Sequence, residues 1–116
     1  MTLSPLAPSS FPNLPKISGI NLATAASGTR YKGRDDILLI TLVPNSSVAG
    51  VFTKSDTAAA PVRWSQTIAK TGKARAIITN AGNANAFTGM LGHKAVHDMA
   101  TGLAAKLKCD ATAIMI

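Results

Sequence analysis

The chain has 116 residues, enough for one modest domain. Its composition, 47% apolar and 15% charged, excludes an intrinsically disordered polymer. The formal charge is +7 and all five acids are Asp, which leaves nucleic acid, membrane surfaces and anionic small molecules as candidate partner classes.

Residues 1–15 carry prolines at 5, 8, 12 and 15 and predict an extended arm ahead of a single unit over 16–116. From Gly19 to Tyr31, short apolar runs broken by Gly28 predict one arm of a hairpin with the next apolar run. Ile37 to Val43 is nearly unbroken in apolarity and rich in β-branched residues, which predicts a strand buried on both faces. Pro44-Asn45-Ser46-Ser47 is a turn, and Val48 to Thr53 reads as a second strand paired antiparallel with the first. A connector from Lys54 leads to a helix in which Asp56 or Thr57 is the expected cap and Pro61 sits in the first turn. Val62, Gln66 and Ala69 share a face there, Trp64 and Ile68 lie side by side, and Gly72 stops the helix. Ala74 to Thr79 is a third strand. Beyond the next loop, Thr88 is the expected cap of a helix with Val96, Met99, Ala100, Leu103 and Leu107 as its buried stripe. Abundant alanine suggests that helices pack closely on a sheet. Ala111 to Ile116 has strand composition, and its apolar end suggests a segment of a longer polypeptide.

Charge and chemistry narrow the function classes. The nearest thing to a basic cluster is Lys70, Lys73 and Arg75, with no aromatic platform among them for stacking bases, so a small basic nucleic-acid-binding module is the alternative reading rather than the leading one. No apolar run approaches a membrane span. The single Cys109 excludes an internal disulfide and, with a Ser/Pro-rich start unlike a signal peptide, points to the cytoplasm. His93 and His97 share a helix face, with Asp98 and Cys109 nearby, but no Glu follows the first His as a zincin helix requires. They read as surface residues, and no metal site is expected. Cys109 has Lys106 and Lys108 beside it and no convincing His partner, and it falls at a helix C-terminus, where the dipole opposes a thiolate. No Ser lies in a Gly-x-Ser-x-Gly elbow. The unusual feature is Asn80-Ala81-Gly82-Asn83-Ala84-Asn85, where a strand gives way to a helix. Ligand sites of α/β proteins form at such strand ends, which makes Asn80, Asn83 and Asn85 candidate pocket walls. Asn side chains equally serve to tie a turn to its own backbone.

Three stretches resemble one family. They are Val48-Ala49-Gly50-Val51-Phe52-Thr53 with Ala59-Ala60-Pro61-Val62; Ala76-Ile77-Ile78-Thr79-Asn80-Ala81-Gly82-Asn83-Ala84-Asn85-Ala86-Phe87-Thr88-Gly89; and Leu14-Pro15 with Ile17, Gly19-Ile20, Gly28 and Asp36. In order and spacing they look like the ornithine acetyltransferases (glutamate N-acetyltransferases) of arginine biosynthesis. That family often has Ser at the position of Ala81 and Cys at that of Phe87, departures that touch packing. The resemblance implies an α/β (α+β) fold, a layered sandwich of packed β-sheets with outer helices, completed by the rest of a precursor. It implies acetyl transfer from N-acetylornithine to glutamate, with acetyl-CoA as a further co-substrate in some members and no bound cofactor. Family precursors cleave themselves before a threonine, and the new N-terminal Thr is the nucleophile. A Thr-Gly pair of the oxyanion hole follows a strand resembling Ala111 to Ile116. The resemblance therefore carries no catalytic residue onto this chain, and Thr53, Thr79 and Thr88 are not nucleophile candidates. The implied partners are the remaining segments of the precursor, including a beta chain bearing the Thr, in a hetero-oligomer.

Overall fold

A computed structural model describes residues 5–116. The first four residues of the expected arm lie outside it, and residues 5–15 are exposed and irregular. Among the described residues the strands β1 (Ile20–Ala25), β2 (Ile37–Leu42), β3 (Ala76–Asn80) and β4 (Ile114–Met115) form one sheet in the order β1-β2-β3-β4. β1 and β2 pair antiparallel, with Ile20 opposite Leu42 and Ala25 opposite Ile37. β3 runs antiparallel to β2, and β4 runs parallel to β3. The helix α2 (Gly89–Leu107) supplies the crossover between β3 and β4, and α1 (Ala60–Ala69), which lies between β2 and β3 in the chain, adds to the cover around them.

The sequence explains how α2 comes so close to the sheet. Gly92, Val96, Ala100 and Ala104 recur every four residues and are its buried positions. Small side chains let the helix axis approach Ala76 and Ile114, both fully buried. Leu39, Ile78, Leu103 and Leu107 close around this core. On the other face Met115 and Ile77 meet Ile68, Ala74, Val48 and Phe52. Trp64 of α1 touches both clusters. Pro61 stands in the first turn of α1, where its missing N–H would be unpaired in any case. Gly72, at φ 71°, turns the chain out of α1 and donates its N–H to Ala69 O at 3.1 Å.

α1 also closes the outer edge of β4. The Trp64 Nε1–H donates to Ile114 O at 2.8 Å. Ser65 Oγ–H donates to Ile116 O at 2.7 Å, and Ile116 N–H donates to Ser65 Oγ at 2.9 Å. Backbone groups that a sheet edge leaves unpaired are thus satisfied by two consecutive helix side chains.

Several expectations need correction. Val48 to Thr53 is not a strand: only Ser47 bridges to Lys73, Val51 is fully exposed, and Phe52 folds back into the second cluster. β3 occupies the place beside β2 instead, and Leu42 N–H donates to Arg75 O. The Asn45 turn is present, with φ 67° at Asn45. β2 is half-buried along its whole length rather than buried on both faces, because the helical cover lies over β3 and β4. The last segment is a 3₁₀ turn, Ala111–Ala113, before a two-residue strand. The hairpin of Gly19–Tyr31 with the Ile37 run is present as β1–β2. The mixed α/β class holds, with a single sheet rather than two packed ones among the described residues.

The chain exposes 8681 Å² of surface. A closed monomer of 11.9 kDa exposes about 5,900 Å². The irregular segment before β1 adds to the difference, and so do the exposed Ile20, Leu22, Val43 and Val51.

Candidate functional site

Two connections meet at the end of the sheet where β2 begins and β3 stops. Asp36 holds them together. It is a buried carboxylate, accepting Ser27 N–H at 2.6 Å and Ser27 Oγ–H at 2.8 Å, while its own carbonyl accepts Ala81 N–H at 2.8 Å. The Ser27 N–H, then the Ser27 hydroxyl, hold its pKa below the usual carboxylate value against the opposing effect of desolvation. Thr24 hydrogen-bonds Asp35 alongside. Gly82 lies against this loop at φ 100°, and a Cβ there would stand 2.8 Å from Tyr31 Cε2 and 3.0 Å from Arg30 Cδ. Arg34 stacks over the Tyr31 ring at 3.6 Å from its centre. The 26–36 connection therefore packs onto the Asn80–Asn85 loop, a contact that composition did not reveal.

Of the three candidate Asn residues, the structure gives Asn85 a defined structural role. It adopts φ 44°, a left-handed backbone that Asn tolerates better than most residues. Its Nδ2 donates to Gly92 O at 3.1 Å, and its Oδ1 accepts Thr88 Oγ1–H at 2.6 Å. Gly92 makes this possible, because a Cβ there would fall 1.9 Å from Thr88 Oγ1 and 2.6 Å from Asn85 Oδ1. Thr88 stands at the start of α2 as expected, but its hydroxyl serves Asn85 and caps no backbone N–H. The cap of α1 is Ala59, not Asp56 or Thr57, and also lacks a side-chain bond. Asn85, Phe87, Thr88, Gly89 and His93 line a cavity of about 200 Å³ with the Thr57–Ala60 stretch. Asn80 and Asn83 are exposed and lie outside that lining.

The remaining candidates separate. His93 and His97 are exposed; His97 meets Trp64 edge-on at 6.3 Å between ring centres. Cys109 is half-buried and packs against the α2 core. Thr53 Oγ1 accepts Ser55 N–H. The nearest approach to a nucleophile–base pair is Ser27–Asp36. A carboxylate with a lowered pKa, already held by a backbone N–H, is a poor base near neutral pH. The basic trio also disperses: Lys73 Nζ donates to Asn45 O at 2.8 Å, and the Arg75 guanidinium bonds Leu42 O. Nothing here favours the nucleic-acid alternative. No helix among the described residues is long and apolar enough to cross a membrane.

The fold recurs over most of its length in solved structures. An ornithine acetyltransferase from Mycobacterium tuberculosis, solved with ornithine, aligns with a TM-score of 0.79 at 37% identity, over 84% of this chain and 53% of that one. The arginine biosynthesis bifunctional protein argJ of Bacillus halodurans aligns at 0.78 and 29% identity, over 84% and 51%. The fold is thus that of a part of an ornithine-acetyltransferase-type α/β protein. The chain belongs to the ArgJ family, whose profile matches residues 21–116. It is 49% identical over 110 residues to the arginine biosynthesis bifunctional protein ArgJ of Bradyrhizobium diazoefficiens, covering 95% of this chain and 25% of that protein. Its counterpart in Agrobacterium fabrum is 46% identical over 110 residues, covering 95% and 27%. The chain therefore spans about a quarter of the length of these curated relatives.

Proposed function

We propose that these residues form the structural opening part of an acetyltransferase of arginine biosynthesis, moving acetyl from N-acetylornithine to glutamate. The observation that carries this is the family match over residues 21–116, together with the shared fold at 37% identity. The chemistry would reside elsewhere. Among the described residues none of the candidate hydroxyls and thiols is paired with a competent base; the nucleophilic threonine and the oxyanion donors that the family resemblance implies would belong to the remaining polypeptide, in a hetero-oligomer of alpha and beta chains. The charge of +7 draws in carboxylate substrates by long-range attraction. No bound cofactor is needed for acyl transfer through threonine; acetyl-CoA serves as a second donor. The cytoplasm is the location, where the substrates of amino-acid synthesis are met.

The test is acetyl exchange with isotope-labelled N-acetylornithine and glutamate. The 116-residue chain alone gives no turnover above background. Combined with the complementary part of the Bradyrhizobium relative, it gives turnover, and acetyl-CoA is then offered as the donor in place of N-acetylornithine. Turnover by the chain alone, or none by the combination, overturns the proposal.

A further inference from the structure

Two fastenings hold the 26–36 connection against the molecule. The β1–β2 ladder ends at the pair Ala25 and Ile37, and Asp36 N–H then donates to Ala25 O at 3.0 Å. Between Ala26 and Asp35 no backbone–backbone hydrogen bond is made among the described residues. The first fastening is the Asp36 carboxylate, which accepts the Ser27 N–H and the Ser27 Oγ–H. Ser27 Oγ in turn accepts Thr29 N–H at 3.2 Å and lies 2.8 Å from Thr29 Oγ1, so the first turn of the connection hangs on one carboxylate. The second fastening is a contact without a hydrogen bond. Tyr31 and Arg30 lie so close to Gly82 that a Cβ there would stand 2.8 Å from Tyr31 Cε2. Gly28 and Gly33 flank these residues at φ 68° and 71°, and a Cβ on either would meet nothing within 4 Å. Backbone conformation, not crowding, therefore calls for glycine at both, and both have room to turn.

We propose that residues 29–32 are a strap over the Asn80–Asn85 loop, hinged at Gly28 and Gly33, latched by the Asp36 carboxylate and seated by Tyr31 on Gly82, and that the strap opens as one unit. Lifting it breaks no ladder bond and disturbs neither apolar cluster. Thr29, Arg30 and Lys32 are exposed, Tyr31 is half-buried, and none of the four packs in either cluster. Openings that spare the core cost far less than global unfolding. The two fastenings act on one short segment, so loosening either loosens the other. An open strap uncovers Gly82 at the strand end, between the exposed Asn80 and Asn83. Access to that loop is then set by a segment about fifty residues earlier in the chain. The strap does not depend on the acetyltransferase reading.

Amide hydrogen exchange of the 116-residue chain tests this, with the Ile116 amide, held by Ser65, reporting on the core. One opening unit gives the Ser27 and Thr29 amides a common protection factor, well below that of Ile116. Gly82→Ala pushes Tyr31 off its seat and should speed exchange at both Ser27 and Thr29 about tenfold, although no hydrogen bond joins Gly82 to either. Tyr31→Ala removes the seat without adding bulk and should do the same. Ser27 and Thr29 amides that keep the parent's rates in both variants overturn the strap. Protection factors that differ between the two amides by more than about tenfold show separate openings and overturn it as well. An Ile116 amide that accelerates by the same factor shows the connection and the core opening together, which also overturns it.

Discussion

At one edge of the sheet, Ile114 and Ile116 meet Trp64 and Ser65 of α1, three hydrogen bonds of 2.7–2.9 Å between a strand and a helix about fifty residues earlier in the chain. At the other edge, Leu22 and Thr24 turn their backbone groups outward and Leu22 lies 68% exposed. β4 is two residues long and closed; β1 is six residues long and open. Edge length therefore does not decide which edge a fold protects. A short strand is secured because a helix crosses it with a donor and a hydroxyl at consecutive positions. A longer one is left with its backbone groups turned outward and Leu22 exposed.

Substitutions at the two edges should differ in cost, which thermal or urea unfolding of the chain measures. Trp64→Ala removes the side chain shared by both core clusters and orphans Ile114 O, and should destabilise by about 3 kcal/mol. Ser65→Ala strips both Ile116 backbone groups of their partner and should cost about 2 kcal/mol. Leu22→Lys, at the open edge, should change the stability of the chain by no more than about 0.5 kcal/mol. If Leu22→Lys cost as much as Trp64→Ala, the edge would not be open in solution and the contrast would collapse.

The smallest effect is a pH dependence at the end of β1. Asp36 has a lowered folded pKa, so its contribution is fully present above the ordinary carboxylate value and is lost as pH falls through the lowered one. Exchange of the Ser27 amide should accelerate on acidification below the usual Asp range while the Ile116 amide keeps its protection. Asp36→Asn should make Ser27 exchange insensitive to that window. A Ser27 amide that responds to acid in the Asn variant as in the parent would assign the effect to another group.

Much was legible where information is local. The β2 run, the Asn45 and Gly72 turns, Pro61 at the head of α1 and two positions of the α2 stripe, Val96 and Ala100, follow from composition and spacing, whereas Met99, Leu103 and Leu107 are only half-buried and Gly92 and Ala104 take the core positions instead. At the loop, the reading of Asn85 as a turn anchor was available beside that of a pocket wall, and the same side chain both bonds the α2 backbone and borders the small cavity. Asp36 escaped a bottom-up reading, because its partners Ser27 and Ala81 come from different connections. The signals it gave were its place in the family-like opening stretch and a pair of carboxylates just ahead of a half-buried strand.

The sequence by itself determined β1–β3, the two helices, the turns at Asn45 and Gly72 and the family resemblance, though not that Val48–Thr53 and Ala111–Ala113 would fail to extend. Tertiary structure alone decided that Val48–Thr53 would lose its place beside β2 to β3, that Thr88 would serve Asn85, and that one edge would close while the other stayed open. The physical reason is that a strand's partner is chosen by backbone groups brought together from distant parts of the chain. Residue type and periodicity carry almost no trace of that choice.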